Sequence, residues 1–414
     1  MDYQATVDWL FRLEKRLGMD LRLERLGPVL EELGHPQRCF AAAHVAGTNG
    51  KGSTAAMLAR IYHGAGYRTG LYTSPHLLSF RERIRVDEGL IEEALVVEHT
   101  TELRRAMEKS GESLTFFEMA TLMAFLEFRR QGVEIAVMEV GLGGRLDATN
   151  VVESFVTAIT SVSLDHTAQL GNSIASIARE KAGIVKAGVP LISGPLPAEA
   201  QAVVGQVTAH VDSPWHSLGR DFGPWPTAPG LAGRYQADNA AVAAALVRAG
   251  RHRFPVSDGQ IAEGLARVRW PGRLERVAES PAVLLDAAHN PAAVAALVEA
   301  IGELGLARPL VLVFGVMMDK DWQEMLCSLL PVCDQAVLVP VEVERSLDPN
   351  LMRGLAGCDR EVGIAPSALV GLEQALALAT PDGSVLITGS AFLVAELYQA
   401  AGGCAHPFSD HEKI

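Results

Sequence analysis

The sequence predicts an α/β protein: a mostly parallel sheet domain carrying a phosphate-binding loop, followed by a smaller α/β domain. Three observations predict it. Short apolar runs alternate with longer segments of helical period, the pattern of strands joined by crossover helices. One run, at 40–46, leads straight into the glycine-rich turn Gly47-Thr48-Asn49-Gly50-Lys51-Gly52-Ser53. The alternation restarts after Trp270-Pro271-Gly272, which places a boundary near 269–273 and divides the 414 residues into domains of 1–269 and 270–414.

Each element follows from its residues. The N-terminal stretch MDYQATVDWLFRLEKRLG reads as an amphipathic helix with Val7, Leu10, Phe11 and Leu13 towards one side. Apolar runs predict strands at 40–46, 69–73, 135–140, 155–160 and 189–193. Helical periods predict helices at 53–65, 91–109, 115–130, 174–181 and 198–209. From about 210 to 233 the composition changes: this stretch holds two of the five tryptophans among several Pro and Gly, and reads as a surface excursion or a pair of short irregular strands. An alanine-rich helix follows at 236–248. The second series predicts strands at 283–286, 310–314, 336–339 and 384–388, with helices at 292–304, 323–330, 369–379 and 392–401.

Composition narrows the function. Hydrophobic residues make up 49% and charged residues 21%, which excludes a mainly disordered, collagen-like or coiled-coil chain. The 36 basic against 49 acidic residues give a net charge of −13, the opposite of the basic face of a general nucleic-acid or anionic-membrane binder. A local cluster of Lys, Arg and helix N-termini can still hold an anionic small substrate. Cys39, Cys327, Cys333, Cys358 and Cys404 are scattered without Cys-x-x-Cys spacing and read as reduced thiols. Asp2 and Asp8 precede any basic residue, and no run approaches the ~20 apolar residues of a membrane span. The expected location is the cytoplasm.

The turn at 47–53 is the strongest chemical signal. Glycines let backbone N–H groups converge on phosphate oxygens, the helix N-terminus adds partial positive charge, Lys51 can reach the outer phosphates and Ser53 can face a divalent ion. The extra Gly52 between Lys51 and the hydroxyl departs from the common Walker spacing. A nucleotide site also needs an acid at a neighbouring strand end, and the run 135–139 ends in Glu139. A buried carboxylate there is costly unless paired or metal-bound. His166 follows the next strand beside Asp165, and either a ligand or a structural role suits it. Lys181 sits on a helix, where a solvated charge is the ordinary outcome. In the second series Asp286 ends a strand; Asp286 suits a ribose, and His289 or Asn290 suits a phosphate or a helix cap. Arg273, in the turn between the domains, suits a phosphate. These loops are expected to frame one interdomain cleft.

Together the motifs resemble the bifunctional dihydrofolate synthase/folylpolyglutamate synthase family of the Mur ligase superfamily, from about residue 5 to 400. They are GTNGKGS at 47–53, TSPHL at 73–77, RERIRV at 81–86, FFE at 116–118 and EVGLGGRLDATN at 139–150. LDHTAQLG at 164–171, IAREKAGIVK at 177–186, PGRLE at 271–275, AHNP at 288–291 and TGSAFLVAE at 388–396 complete the set.

The resemblance implies a C–N ligase with a Rossmann-like second domain. ATP phosphorylates a carboxylate, and the amino group of L-glutamate attacks the acyl phosphate, the carboxylate belonging to dihydropteroate or to a folate. It implies that Gly47, Thr48, Asn49, Gly50, Lys51, Gly52 and Ser53 bind ATP with Asn239, Arg273 and Asp286. Ser74, Glu139 and His166 would hold Mg2+, two ions in all, with a monovalent cation as a further candidate. Lys51, Lys181 and His289 would be catalytic, Lys181 as a carbamylated lysine and His289 near the phosphates. Thr115, Phe116, Phe117, Glu118, Leu146, Asp147 and Ala148 would surround the pterin or folate. Residues 76–88, with Arg81, Arg83 and Arg85, would form a mobile cover, Arg83 touching substrate. A monomer without nucleic-acid or membrane partners is expected. The alternatives are polyglutamation only, a Mur-type peptidoglycan ligase, and a nucleotide-gated binding protein without turnover.

Overall fold

The computed structural model describes residues 2–17, 22–353 and 361–404; Cys358 lies outside them. The chain forms two compact units. One takes the residues up to Pro229 together with Ala237–Val268, and the other takes Gly230–Gln236 and the described residues from Arg269 to Cys404.

The first unit begins with α1 (Tyr3–Leu17) and α2 (Leu26–Glu32), then β1 (Ala41–Ala46), α3 (Lys51–Gly64) and β2 (Thr69–Tyr72). The hairpin β3 (Ile84–Val86) and β4 (Gly89–Leu90) precedes α4 (Glu93–Ser110), α5 (Phe116–Arg130), β5 (Ile135–Glu139) and β6 (Ser154–Ile159). Next come α6 (Thr167–Leu170), α7 (Ile174–Ala182), β7 (Leu191–Ser193), α8 (Ala198–His210) and β8 (Trp215–Ser217), and then α9 (Tyr235–Gly250), whose first two residues belong to the other unit, and α10 (Asp258–Arg267).

The sheet order is β4-β3-β2-β5-β1-β6-β7-β8, parallel except for the β2–β3 and β3–β4 pairs. β1 is central and buried at every position, as a small-residue AAAHVA strand covered on both faces must be. One core joins α1, α2, α4 and α5 to β1, β2 and β5, with Val7, Leu10 and Leu13 buried in it and Phe11 packed against it. The amphipathic reading of the N-terminus therefore holds. A second core lies between β6, β7, α7 and α8.

The second unit holds β9 (Glu275–Glu279), β10 (Ala282–Leu285), α11 (Pro291–Leu304), β11 (Leu310–Phe314), α12 (Trp322–Leu329) and β12 (Gln335–Leu338). It ends with α13 (Pro349–Arg353), β13 (Glu361–Ile364), α14 (Ala368–Ala379), β14 (Ser384–Thr388) and α15 (Ala391–Leu397). Its sheet order is β13-β12-β11-β14-β10-β9, parallel except for β9.

Several elements escape the sequence patterns for physical reasons. In α2, Gly27-Pro28 looks like a turn. In α10, Ser257-Asp258-Gly259 also looks like a turn, yet Ser257 and Gln260 form a capping box that starts a helix. β9 is a partly exposed edge strand, ERVAE, with little apolar content to mark it. Between 210 and 233 the regular structure is β8 and one bridge, Leu218 to Phe222. Cys39, Cys327, Cys333 and Cys404 are free thiols. Among the described residues no helix is long and apolar enough to cross a membrane.

Candidate active site

The turn after β1 is held from the neighbouring strand end. Thr48 N–H donates to Ser161 O at 2.9 Å, and Asn49 N–H donates to Ser161 Oγ at 2.9 Å. The Thr160 and Ser161 hydroxyls donate to Asn49 O at 2.6 and 3.0 Å, and Thr48 Oγ1 bonds Ser163 O and N at 3.1 Å each. Gly47, at φ 155, packs so tightly that a Cβ there would overlap Thr160 Oγ1. Gly50, at φ 84, caps α3, and a Cβ there would overlap Asn239 Oδ1. These two glycines are required by both backbone conformation and space. The arrangement brings Asn239 of α9 to the loop, and it also shows what the sequence reading missed: the run Thr160-Ser161-Val162-Ser163 braces it. The available signal was a polar run closing an apolar strand beside the loop strand.

Two lysines converge on the loop. Lys51 Nζ donates to Gly47 O and Thr48 O, both at 3.1 Å, and Lys181 Nζ donates to Gly47 O at 2.9 Å. Lys181 is only 3% exposed, so the solvated reading of this helix position fails. It faces inward because α7 packs its Ile177–Ala178 and Lys181–Ala182 side against the unit's core. Burial pushes its ammonium down to about 7, helped by the Lys51 charge and opposed by Asp165 and Asp147.

Glu139 is buried at the end of β5 and accepts from Ser74 N–H at 3.0 Å, so these two predicted ligands meet. His166, the third predicted ligand, follows β6. It takes φ 49 ahead of α6, is exposed, and has Nε2 3.9 Å from Asp165 Oδ1. Among the described residues no three His, Cys, Asp or Glu cluster to cage an ion. One carboxylate with a serine hydroxyl nevertheless fits Mg2+, which keeps waters and phosphate oxygens as its other ligands.

The predicted pterin-side residues form one packed region. Thr115 caps α5 and shares a capping box with Glu118, whose carboxylate also takes Arg25 Nε at 2.8 Å and Nη2 at 2.6 Å. Glu118 is thus committed to holding the helix start and α2's entry. Phe116 stacks on Phe11 at 5.2 Å and lies under the Arg83 guanidinium at 5.0 Å. Phe117 is half-buried and fills the space beside Gly141, where a Cβ would overlap its ring. Leu146 is half-buried, and Asp147 and Ala148 are buried.

Residues 76–88, the expected cover, are bonded to one another. Glu82 accepts from the backbone N–H groups of Leu77, Leu78 and Ser79 at 2.6 to 2.8 Å. Arg83 is buried and donates to His76 Nδ1 at 2.8 Å. Burial and the Arg83 charge push His76 down to about 3, so its imidazole is neutral and accepts at Nδ1.

In the second unit, Asp286 is buried at the end of β10. It accepts from Leu274 N–H and Ala288 N–H at 2.8 and 2.9 Å, and from Tyr235 Oη at 3.3 Å. Burial pushes its carboxyl up, against Arg273 and these donors. Leu274 holds φ 47, a conformation that is costly for a residue with a side chain. His289 Nδ1 lies 2.9 Å from Ala287 O, so Nδ1 carries a proton. Asn290 caps α11 by accepting from Ala293 N–H at 2.9 Å, with Pro291 as the first helical residue.

Residues 45–190 match the Mur ligase middle domain, and residues 272–391 match the Mur ligase, glutamate ligase domain. Folylpolyglutamate synthase of Lacticaseibacillus casei is 34% identical over 97% of this chain and 99% of its own length. Dihydrofolate synthase/folylpolyglutamate synthase of Escherichia coli is 34% identical over 94% of each. The structure of Escherichia coli FolC in complex with DHPP and ADP aligns at TM-score 0.88 and 33% identity, over 95% of this chain and 97% of that one. Mycobacterium tuberculosis folylpolyglutamate synthase complexed with ADP aligns at TM-score 0.90 and 31% identity, over 97% and 100%. Sequence shared at this level from end to end, on one fold, places the chain in the folylpolyglutamate synthase/dihydrofolate synthase family of Mur ligases.

Proposed function

We propose that this protein is an ATP-dependent acid–amino-acid ligase that joins L-glutamate to dihydropteroate, to the γ-carboxylate of folates, or to both. The observation that carries the reading is the convergence of Lys51 and Lys181 on the carbonyl of Gly47, in a braced glycine loop at the N-terminus of α3. Such a loop suits the phosphates of ATP, which relatives of solved structure hold as ADP.

We assign 1–269 as the ATP-binding domain and 270–414 as the C-terminal Mur ligase-type domain. Gly47 to Ser53 bind the phosphates, and Asn239, Arg273 and Asp286 bind the rest of the nucleotide. The substrate carboxylate oxygen attacks the γ-phosphorus, ADP leaves, and the resulting acyl phosphate turns a poor electrophile into a reactive one. The neutral glutamate amine then attacks the acyl carbon and phosphate departs. Lys51 stabilises charge on the transferred group. His289, whose Nδ1–H is taken by Ala287 O, would lie near the phosphates. Glu139, Ser74 and His166 would hold Mg2+, which offsets the repulsion between two anionic reactants. Lys181 would serve as a carbamate, and its buried, depressed amine supports that chemistry. Thr115 to Glu118, Leu146 to Ala148 and Arg83 would shape the pterin side.

Free thiols support a reducing cytoplasm, and the net charge of −13 supports small-molecule partners over nucleic acid. We read the protein as a monomer. The test is phosphate release from Mg-ATP and L-glutamate, with dihydropteroate or a reduced folate monoglutamate, and mass analysis of products. Glutamate added to both establishes the bifunctional enzyme, and addition to the folate alone leaves polyglutamation. ATP binding without turnover on either substrate refutes the ligase reading.

A further inference from the structure

Asp147 is the N-cap of a single 3-10 turn, Ala148–Val151, and is buried at the end of the 141–147 loop. Its Oδ1 accepts from Thr149 N–H at 3.0 Å and from Thr149 Oγ1 at 2.5 Å. Its Oδ2 accepts from Leu142 N–H at 2.9 Å. Three donors, two on Oδ1 and one on Oδ2, fix the carboxylate in its loop. The same Thr149 hydroxyl lies 2.8 Å from His44 Nε2, and His44 is wholly buried on β1, three residues ahead of Gly47.

The proton positions follow from counting. Thr149 has one hydroxyl proton. If it goes to the Asp147 carboxylate, the proton between Thr149 and His44 must come from Nε2–H. Every donor in the set then has an acceptor, and only the His44 Nδ1 lone pair is left over. If Asp147 were protonated, its proton would go to Thr149, the Thr149 proton to Nε2, and His44 would carry a buried Nδ1–H with no acceptor. An orphaned buried N–H is the rarer and costlier defect. Burial holds the imidazole neutral, down to about 3, so no charged form competes.

We propose that His44 and Thr149 are positioning residues: the chain from His44 Nε2–H through the Thr149 hydroxyl to the Asp147 carboxylate ties the pterin-side loop 141–149 to the strand that feeds the phosphate loop. This rests on the proposed function. The Asp147 carboxylate is held by its own loop, so the chain sets its position and that of Leu146 and Ala148 towards the substrate. The phosphate loop keeps its separate brace from Thr160 and Ser161, so loosening this chain moves the acceptor substrate and spares ATP.

The test compares wild type with Thr149→Val, Thr149→Ser and His44→Gln by steady-state kinetics, by calorimetric binding of dihydropteroate and a folate monoglutamate, and by thermal melting. Thr149→Val keeps the shape and deletes the hydroxyl. It should raise KM and Kd for the pterin-bearing substrate about tenfold, the worth of one hydrogen bond to a charged group. KM for ATP should stay within about twofold, and Thr149→Ser and His44→Gln, which keep the donors, should restore most of the loss. Equal rises for ATP and the pterin substrate, a loss that Ser does not rescue, or wild-type constants in Thr149→Val would each overturn the proposal. A wild-type protein that neither binds nor turns over either substrate refutes the functional reading first, and this inference falls with it.

Discussion

Lys181 Nζ donates 2.9 Å to the carbonyl of Gly47, so a buried amine from α7 closes on the same loop oxygen that Lys51 reaches from α3. Two cations on one carbonyl in a dry site disfavour each other's charge, and burial disfavours Lys181 most. At pH 7 about half of a lysine held near 7 is neutral, against well under a thousandth at the ordinary 10.4. A neutral amine can add to CO2, forming a carbamate with release of one proton. Isotope-labelled bicarbonate should therefore give a carbamate signal in wild type that is missing in Lys181→Ala, and Lys181→Ala should lose about a hundredfold or more in turnover with its fold intact. Wild-type turnover in that variant would remove the carbamate assignment.

The same residue sets a pH dependence of stability. Its unfolded amine holds a proton up to about 10.4, while the folded amine has lost it above about 7. Between those values the unfolded state binds more protons, so stability rises with pH, and below 7 the cost of the buried charge is fully present. Lys181→Met should flatten that slope in denaturant melts between pH 7 and 10. An unchanged slope would show that the amine is not buried as described.

For Lys51→Ala the expectation is a fall of about 10²–10³-fold in ATP-dependent turnover, the usual scale for removing one stabiliser of transition-state charge. Gly47 O keeps its Lys181 donor, so the loop should hold its shape. Phosphate-release kinetics alongside a melting curve separate the two effects. Full activity in a folded Lys51→Ala protein would sink the phosphate-loop assignment.

How far the sequence revealed the site depended on whether the signal was local. The 47–53 loop was legible because its glycines, lysine and serine are contiguous, and Glu139 because an apolar strand ends on it. Lys181 was not: at its helical position a charge ordinarily faces water, and only the packed fold reveals its burial. The Thr160, Ser161 and Ser163 brace and the His44–Thr149 contact join residues about a hundred positions apart, which no spacing rule connects. The strand and helix alternation was legible, whereas α2 and α10 were hidden by Gly, Pro and Asp in their first turns, where those residues cap or start helices.

Thr160→Val tests the brace. The hydroxyl gives 2.6 Å to Asn49 O and sits where Gly47 has no side chain. Valine keeps the bulk and leaves that carbonyl with one donor fewer, a change worth about 1 kcal/mol. KM for ATP should rise about five- to tenfold, while KM for the pterin substrate stays near wild type. A rise confined to the pterin substrate would contradict the brace.

Glu127 provides a stability prediction away from the chemistry. It is buried between α4 and α5, with His99 Nε2 at 3.1 Å and the Arg130 guanidinium at 2.8 Å on both oxygens. Burial pushes its carboxyl up, but Arg130, His99 and Gln131 outweigh it and hold it near 2, below the unfolded 4.5. The folded state therefore binds fewer protons between those values. Stability from this group is present above about 4.5 and lost as pH falls through about 2. Glu127→Gln should cost about 2 kcal/mol at neutral pH, because it leaves Arg130 and His99 facing a neutral amide, and that cost should shrink as the pH falls from 5 towards 2. Denaturant midpoints of both proteins across that range decide it. A penalty that does not change with pH would mean that lost packing, and not the charge on Glu127, holds α4 to α5.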